Sequence, residues 1–344
     1  MNSKRIIYLD MLKVISCIAV VVLHVTASAF KTMAIQSESW LVVTSVNMLT
    51  RFAVPIFVMV SGALFLNPDK NIDIKKLYKK NILHLVIVYV FWTVIYSIYN
   101  VYNNDMSMNM TNIIKDAVLE SYYHLWFIPM LIGIYICIPI VRTIVKNNKE
   151  IIEYFLIIFL VFKIIPQTIL LFKFPYSGYI AAILERIEIP LLSYIGYFIL
   201  GYYLHAYDLS GKVKKLIYII GVIAAIIAII VTIGYSFYVG KAVETLCREF
   251  SITTFAMSVA IFVLVKNMLA NNKIKFEKQI IHLSDISLGI YLIHELFRAI
   301  LKNQVGLSSA KIWNLPIVIL VTLIASYIVS YIIKRIPFVN KYLI

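Results

Sequence analysis

Three side chains in the stretch DMLKVISCIAVVVLHV, residues 10–25, carry chemistry that a plain lipid-embedded helix does not need: the carboxylate of Asp10, the ammonium of Lys13 and the imidazole of His24. At about 100° per residue they fall, with Cys17 and Ser28, within one stripe about 60° wide, and Lys13 and His24 stand roughly 16 Å apart along the axis. An imidazole titrates near neutrality, so it can accept and return a proton at physiological pH. Charges at such depth cost at least about 2.5–3.5 kcal/mol on insertion scales, so they usually face a protein interior or an aqueous cavity. A plainer account puts both Asp10 and Lys13 near the interface, with Lys13 snorkelling and Asp10 capping or pairing locally. For His24 the plainer account is a neutral ring bonded to a neighbouring helix.

Two further segments repeat the anomaly. Arg51, in TRFAVPIFVMVSGALF, lies about ten residues into the second apolar run and stays protonated, so it needs a partner or an anionic ligand. Pro55 cannot donate to the carbonyl of residue 51, which predicts a bend there. In SLGIYLIHELFR, the side chains of Ser287, Tyr291, His294 and Arg298 share one helical face. His24 and His294 are both expected in the outer half of the membrane, on different helices. Tyr122, Tyr123, His124 and Trp126 fit an interfacial aromatic belt, and Pro129 and Pro139 interrupt the span that follows. Gly62, Gly133, Gly196, Gly201 and Gly289 are expected to permit close helix packing.

The elements that must hold these groups are membrane helices. Of 344 residues, 62% are hydrophobic and 14% charged, with a mean hydropathy of +0.89, far from the composition of a soluble domain. Ten runs of bilayer-crossing length are expected near 6–30, 41–66, 81–101, 125–145, 151–172, 187–207, 213–239, 250–270, 279–300 and 313–336, with a short interfacial helix over 109–122. The fold class is therefore all-α and polytopic, a single membrane-embedded domain over 1–344 and a multi-pass protein of the cell membrane. Ala27-Ser28-Ala29 after the first run could be a signal-cleavage site; the segment is read as a retained helix. Of the 32 basic residues in a net charge of +15, twenty fall on the side holding Lys4 and Arg5, nine on the other, and Lys13, Arg51 and Lys163 inside spans. That asymmetry places both termini in the cytoplasm and accounts for most of the positive charge without nucleic acid. Cys17, Cys137 and Cys247 have no metal-ligand spacing, and no metal is expected.

The pattern resembles acyltransferase family 3, integral membrane enzymes that O-acylate cell-envelope glycans. Lys13 and His24, following Leu9-Asp10, match the family's R/K-x10-H signature. VPIFVMVSG (54–62), HLWFIPMLIGIY (124–135), YFILGYYL (197–204) and SLGIYLIH (287–294) resemble its other blocks in its order, and the likeness spans nearly the whole chain. It implies transfer of an acyl group, usually acetyl from cytoplasmic acetyl-CoA, to a hydroxyl of an envelope glycan or lipid-linked saccharide. His24 takes the position of the essential histidine. Asp10 and Lys13 would support the inner end of the cavity, while Arg51 and His294 would complete the centre, as donor and as orienting or second proton-transfer group. Where many members carry an R-x-x-R block, this chain has KKLYKKNIL, so Lys75, Lys76, Lys79 and Lys80 would draw CoA phosphates as point charges rather than forks. Trp126 joins them as a candidate donor contact. The rival reading is a transporter or flippase for a polysaccharide or lipid-linked glycan, which broken spans and a buried charge stripe would also suit.

Overall fold

The computed structural model describes residues 5–68, 72–104, 106–119, 122–146, 148–172, 175–186, 189, 192–244, 246–270, 275–337 and 339–343. Its α-helices are α1 (Ile7–Thr32), α2 (Glu38–Leu49), α3 (Ala53–Phe65), α4 (Ile74–Lys76), α5 (Leu83–Asn103), α6 (Met110–Leu119), α7 (Phe127–Val145), α8 (Lys149–Phe159), α9 (Ile165–Leu170), α10 (Ser177–Arg186), α11 (Tyr194–Ala206), α12 (Gly211–Val239), α13 (Ile252–Leu269), α14 (Glu277–Asn303), α15 (Asn314–Arg335) and α16 (Val339–Leu343). Single π-helical turns, Leu77–Ile82 and Leu160–Ile164, lead into α5 and α9, and a 3-10 turn, Tyr123–Trp126, leads into α7. No strand occurs among the described residues.

Nine stretches among the described residues are long and apolar enough to cross a bilayer, and they coincide with nine of the ten expected spans. The remaining one, expected over 187–207, begins partly outside the described residues. Its described part is α11, 13 residues and so roughly 20 Å long, too short alone for a core of about 30 Å. The short helix expected over 109–122 is present as α6. Asp116 is its buried residue and accepts from Asn100 Nδ2 at 3.3 Å, while Met110, Ile114, Val118 and Leu119 stay exposed.

The chain divides into two compact units. The first comprises Met1–Pro68, Arg142–Ser284 and Ala310–Ile312. In it α1 packs on α2, α3 and α13, α3 lies against α11, and α12 packs on α13 and α2. The α3–α11 crossing is backbone against backbone: a Cβ on Gly62 would sit 1.7 Å from the Phe198 carbonyl oxygen, and one on Gly201 would sit 1.9 Å from that of Met59. Only glycine allows that approach. The Phe159 ring likewise covers Gly196, whereas Gly133, expected at a packing contact, has nothing within 4 Å.

The second apolar run is broken between α2 and α3. Arg51 N reaches only the Met48 carbonyl, Ala53 N reaches that of Thr50, and regular bonding resumes with Ile56 N to Phe52 O at 3.1 Å. Pro55 supplies no N–H for residue 51, so the helix loses a rung where Arg51 sits.

The second unit comprises Asp69–Val141, Asp285–Ser309 and Trp313–Ile344. Tyr96 of α5 pins it to α14: its hydroxyl donates to Leu292 O at 2.7 Å and accepts from Leu296 N at 3.1 Å. Trp92 Nε1 holds α16 through Leu343 O at 3.1 Å.

Candidate active site

In the first unit the polar stripe of α1 has two levels. At the first, Asp10 is buried, and its oxygens accept from Arg5 Nε at 2.7 Å, Arg5 Nη2 at 3.1 Å and Ser284 Oγ at 2.5 Å. Lys13 Nζ lies farther off, 4.0 Å from Oδ1. The arginine just before the helix therefore neutralises Asp10 more closely than the lysine that shares its face. Sequence reading overlooked Arg5, which sits in the opening basic cluster, and Ser284, which gives no local signal.

At the second level, eleven residues on, His24 is half-buried, and the backbone around it is held by Asn47. Asn47 is fully buried; its Nδ2 donates to Leu23 O at 3.2 Å and to Thr26 Oγ1 at 2.9 Å. Its Oδ1 accepts from Arg51 Nε at 3.0 Å and Nη2 at 2.5 Å. Glu244, in the loop after α12, lies 3.9 Å from Arg51 Nη2 and 3.5 Å from Lys31 Nζ. So Arg51, placed by the break before α3, is tied through one amide to the turn of α1 that carries His24. An asparagine four residues before a membrane-embedded arginine was the available signal for this contact.

In the second unit, His294 is fully buried on α14. A carbonyl only accepts, so the 2.6 Å contact with Tyr291 O places a hydrogen on Nδ1 and turns Nε2 toward Glu295 Oε1, 3.7 Å away. Glu295, also fully buried, takes two bonds from Arg298 Nε at 2.9 and 2.8 Å and one from the Tyr123 hydroxyl. The His124 ring stands 5.4 Å from that of His294, and Tyr96, Tyr122 and Tyr291 wall it at 4.9, 5.5 and 5.7 Å. The Tyr291 hydroxyl donates to His124 O. The structure thus corrects the aromatic-belt reading of His124. A belt side chain keeps exposed surface, as half-exposed Tyr123 and Trp126 do, whereas His124 has none. Glu295 was also overlooked. An acid inside an apolar run, three residues before Arg298, marks it.

The four lysines Lys75, Lys76, Lys79 and Lys80 come together, all exposed, where α4 and the following π-helical turn enter the span of α5. Trp126 does not join them. Its turn packs near Tyr96, sixteen residues beyond Lys80, roughly 24 Å along the helix.

At the end of α11, a cavity of about 170 Å³ in the first unit is lined by Tyr207, Asp208, Lys214 and Lys266 among others. Lys266 Nζ donates to Leu204 O, His205 O and Asp208 Oδ1 at 2.9–3.0 Å, closing the end of α11. That hydrogen bond holds the Asp208 carboxyl below the usual carboxylate range. In the loop after α12, burial pushes the Cys247 thiol up to about 11 and keeps it protonated.

Membrane-spanning helices that hold imidazoles, carboxylates and guanidinium groups inside them define a polytopic membrane protein with a working polar interior rather than an anchor. The chain belongs to acyltransferase family 3: the model of that family's acyltransferase domain matches residues 6–335, through both units. It is a multi-pass membrane acyltransferase, passing an acyl group from a donor to an acceptor at the bilayer. No curated protein and no solved structure matches the chain.

Proposed function

We propose that this acyltransferase moves an acetyl group from cytoplasmic acetyl-CoA to a hydroxyl of a cell-envelope saccharide, with His24 as the essential base or transient acyl carrier. As base, the imidazole takes the hydroxyl proton while the oxygen attacks the thioester carbonyl. The tetrahedral oxyanion collapses, the C–S bond breaks, and the CoA thiolate recovers the proton from the imidazolium. As carrier, the imidazole attacks first, CoA leaves as the thiol, and the acceptor hydroxyl then displaces the imidazole. Arg51 supplies a donor to this centre, and His294 orients or relays the second proton. Lys75, Lys76, Lys79 and Lys80 attract the CoA phosphates from the cytoplasm, where both termini lie.

The observation that carries the reading is the placement of His24: half-buried in a membrane helix, beside backbone that Asn47 fixes to the Arg51 guanidinium. A structural histidine needs no such cation tethered to its own turn. The test uses purified protein in liposomes with radiolabelled acetyl-CoA. Wild type should consume the thioester and label an added envelope saccharide fraction, and His24→Ala should lose about 10²–10⁴-fold in rate. Transfer by His24→Ala at near wild-type rate overturns the assignment. An intact thioester beside moved glycan would favour a flippase.

A further inference from the structure

The geometry points to an anionic acceptor: we infer that Arg51, with Lys31 at the rim, binds a phosphate or carboxylate group carried by the acceptor, a place that the Glu244 carboxylate faces in the resting structure. This rests on the acyl-transfer reading above and specifies the substrate class of the same site.

Arg51 is largely buried, with 14% of its side chain exposed, at the one break in its membrane-spanning run. Both of its hydrogen bonds go to a single oxygen, Asn47 Oδ1, through Nε and Nη2. Among the described residues Nη1 donates to no acceptor. The guanidinium is therefore held rigidly along one edge and presents the other. A planar fork with a fixed charge suits a two-oxygen anion better than a sugar hydroxyl.

Charge balance points the same way. Two cations, Arg51 and Lys31, face one carboxylate, Glu244, leaving one positive charge unmatched among the three. At 3.9 Å the Arg51–Glu244 pair is attracted through space without a hydrogen bond. Glu244 is 37% exposed, on a loop that turns through left-handed Gly240 and Leu246. Such a carboxylate can yield its position to a ligand. Lys31 ends α1, on the outer side in the orientation proposed above, where an envelope acceptor arrives. Because Asn47 couples Arg51 to the Leu23 carbonyl and the Thr26 hydroxyl, an anion held by Arg51 is held in register with His24.

The test measures binding without any acyl donor, on full-length protein in neutral phosphatidylcholine nanodiscs. Galactose 1-phosphate, glucuronate and galactose serve as probes, read by calorimetry. The two anionic probes should bind and galactose should not. Arg51→Gln should weaken anionic-probe binding about tenfold or more, and Glu244→Gln should tighten it severalfold by removing the competing carboxylate. The opposite signs separate a binding role from simple misfolding. Equal binding of galactose, or anionic-probe affinity unchanged in Arg51→Gln, overturns the inference. If phosphatidylglycerol in the nanodisc displaces galactose 1-phosphate, the phosphate belongs to a lipid headgroup and the assignment to the acceptor falls. Probe binding with no acetyl transfer would sink only the catalytic reading; acetyl transfer with no probe binding would sink only this one.

Discussion

Replacing Asn47 by alanine tests the coupling on which the first-unit site depends. The substitution removes four hydrogen bonds at a fully buried position. Two neutral ones, to Leu23 O and Thr26 Oγ1, contribute about 0.5–1.5 kcal/mol each, and hydrogen bonds to a charged group contribute about 1.5–3 kcal/mol. The Arg51 pair shares one acceptor oxygen, and the guanidinium keeps Glu244 and some solvent, so those two cannot be counted in full. A loss of about 2–4 kcal/mol follows, below the figure for breaking a fully buried ion pair. The rate effect has a separate origin. With the turn around His24 released, a misplacement of about 1 Å would cost about 10²-fold in kcat. Thermal unfolding of the purified variant, with acetyl transfer measured below the transition, reads both. Should Asn47→Ala unfold at the wild-type temperature and transfer acetyl at the wild-type rate, Asn47 couples nothing and the reasoning fails.

Gly201→Ala should destabilise strongly, because its Cβ must move about 1.3 Å from the Met59 carbonyl to reach a tolerable 3.2 Å, and both sides of that contact are backbone. Gly133→Ala, with nothing within 4 Å, is the control and should unfold at or above the wild-type temperature. In the second unit, Glu295→Ala should cost about 3–5 kcal/mol by stranding Arg298, and adding Arg298→Ala should restore part of the loss. Strictly additive losses in that double variant would show that the two side chains do not act as a pair.

The helical class, nine of the spans and the charge stripe of α1 were legible in the sequence because membrane insertion is a local rule. Each span must carry enough apolar length by itself, and every polar residue inside it stands out against lipid. Arg51 and His294 were visible for that reason, and so was the helix break that Pro55 imposes. The sixth span was the weak case, since its described helix is short and packs by glycine contact rather than by length.

What the sequence could not decide was pairing. The shared face of Asp10 and Lys13 did not say what neutralises the carboxylate: Arg5 and Ser284 hold it, one from outside the helix and the other from far along the chain. His124 passed for a belt residue until the packing of Tyr96, Tyr122 and Tyr291 enclosed it. Periodicity tells which side chains share a face, and composition tells which segments cross the membrane. Which faces meet is set by close packing between helices distant in the chain, down to two glycines that let α3 and α11 touch. Only that tertiary packing chose Asn47 as the link between His24's turn and Arg51, because a hydrogen bond across helices depends on ångström-scale approach that no local pattern encodes.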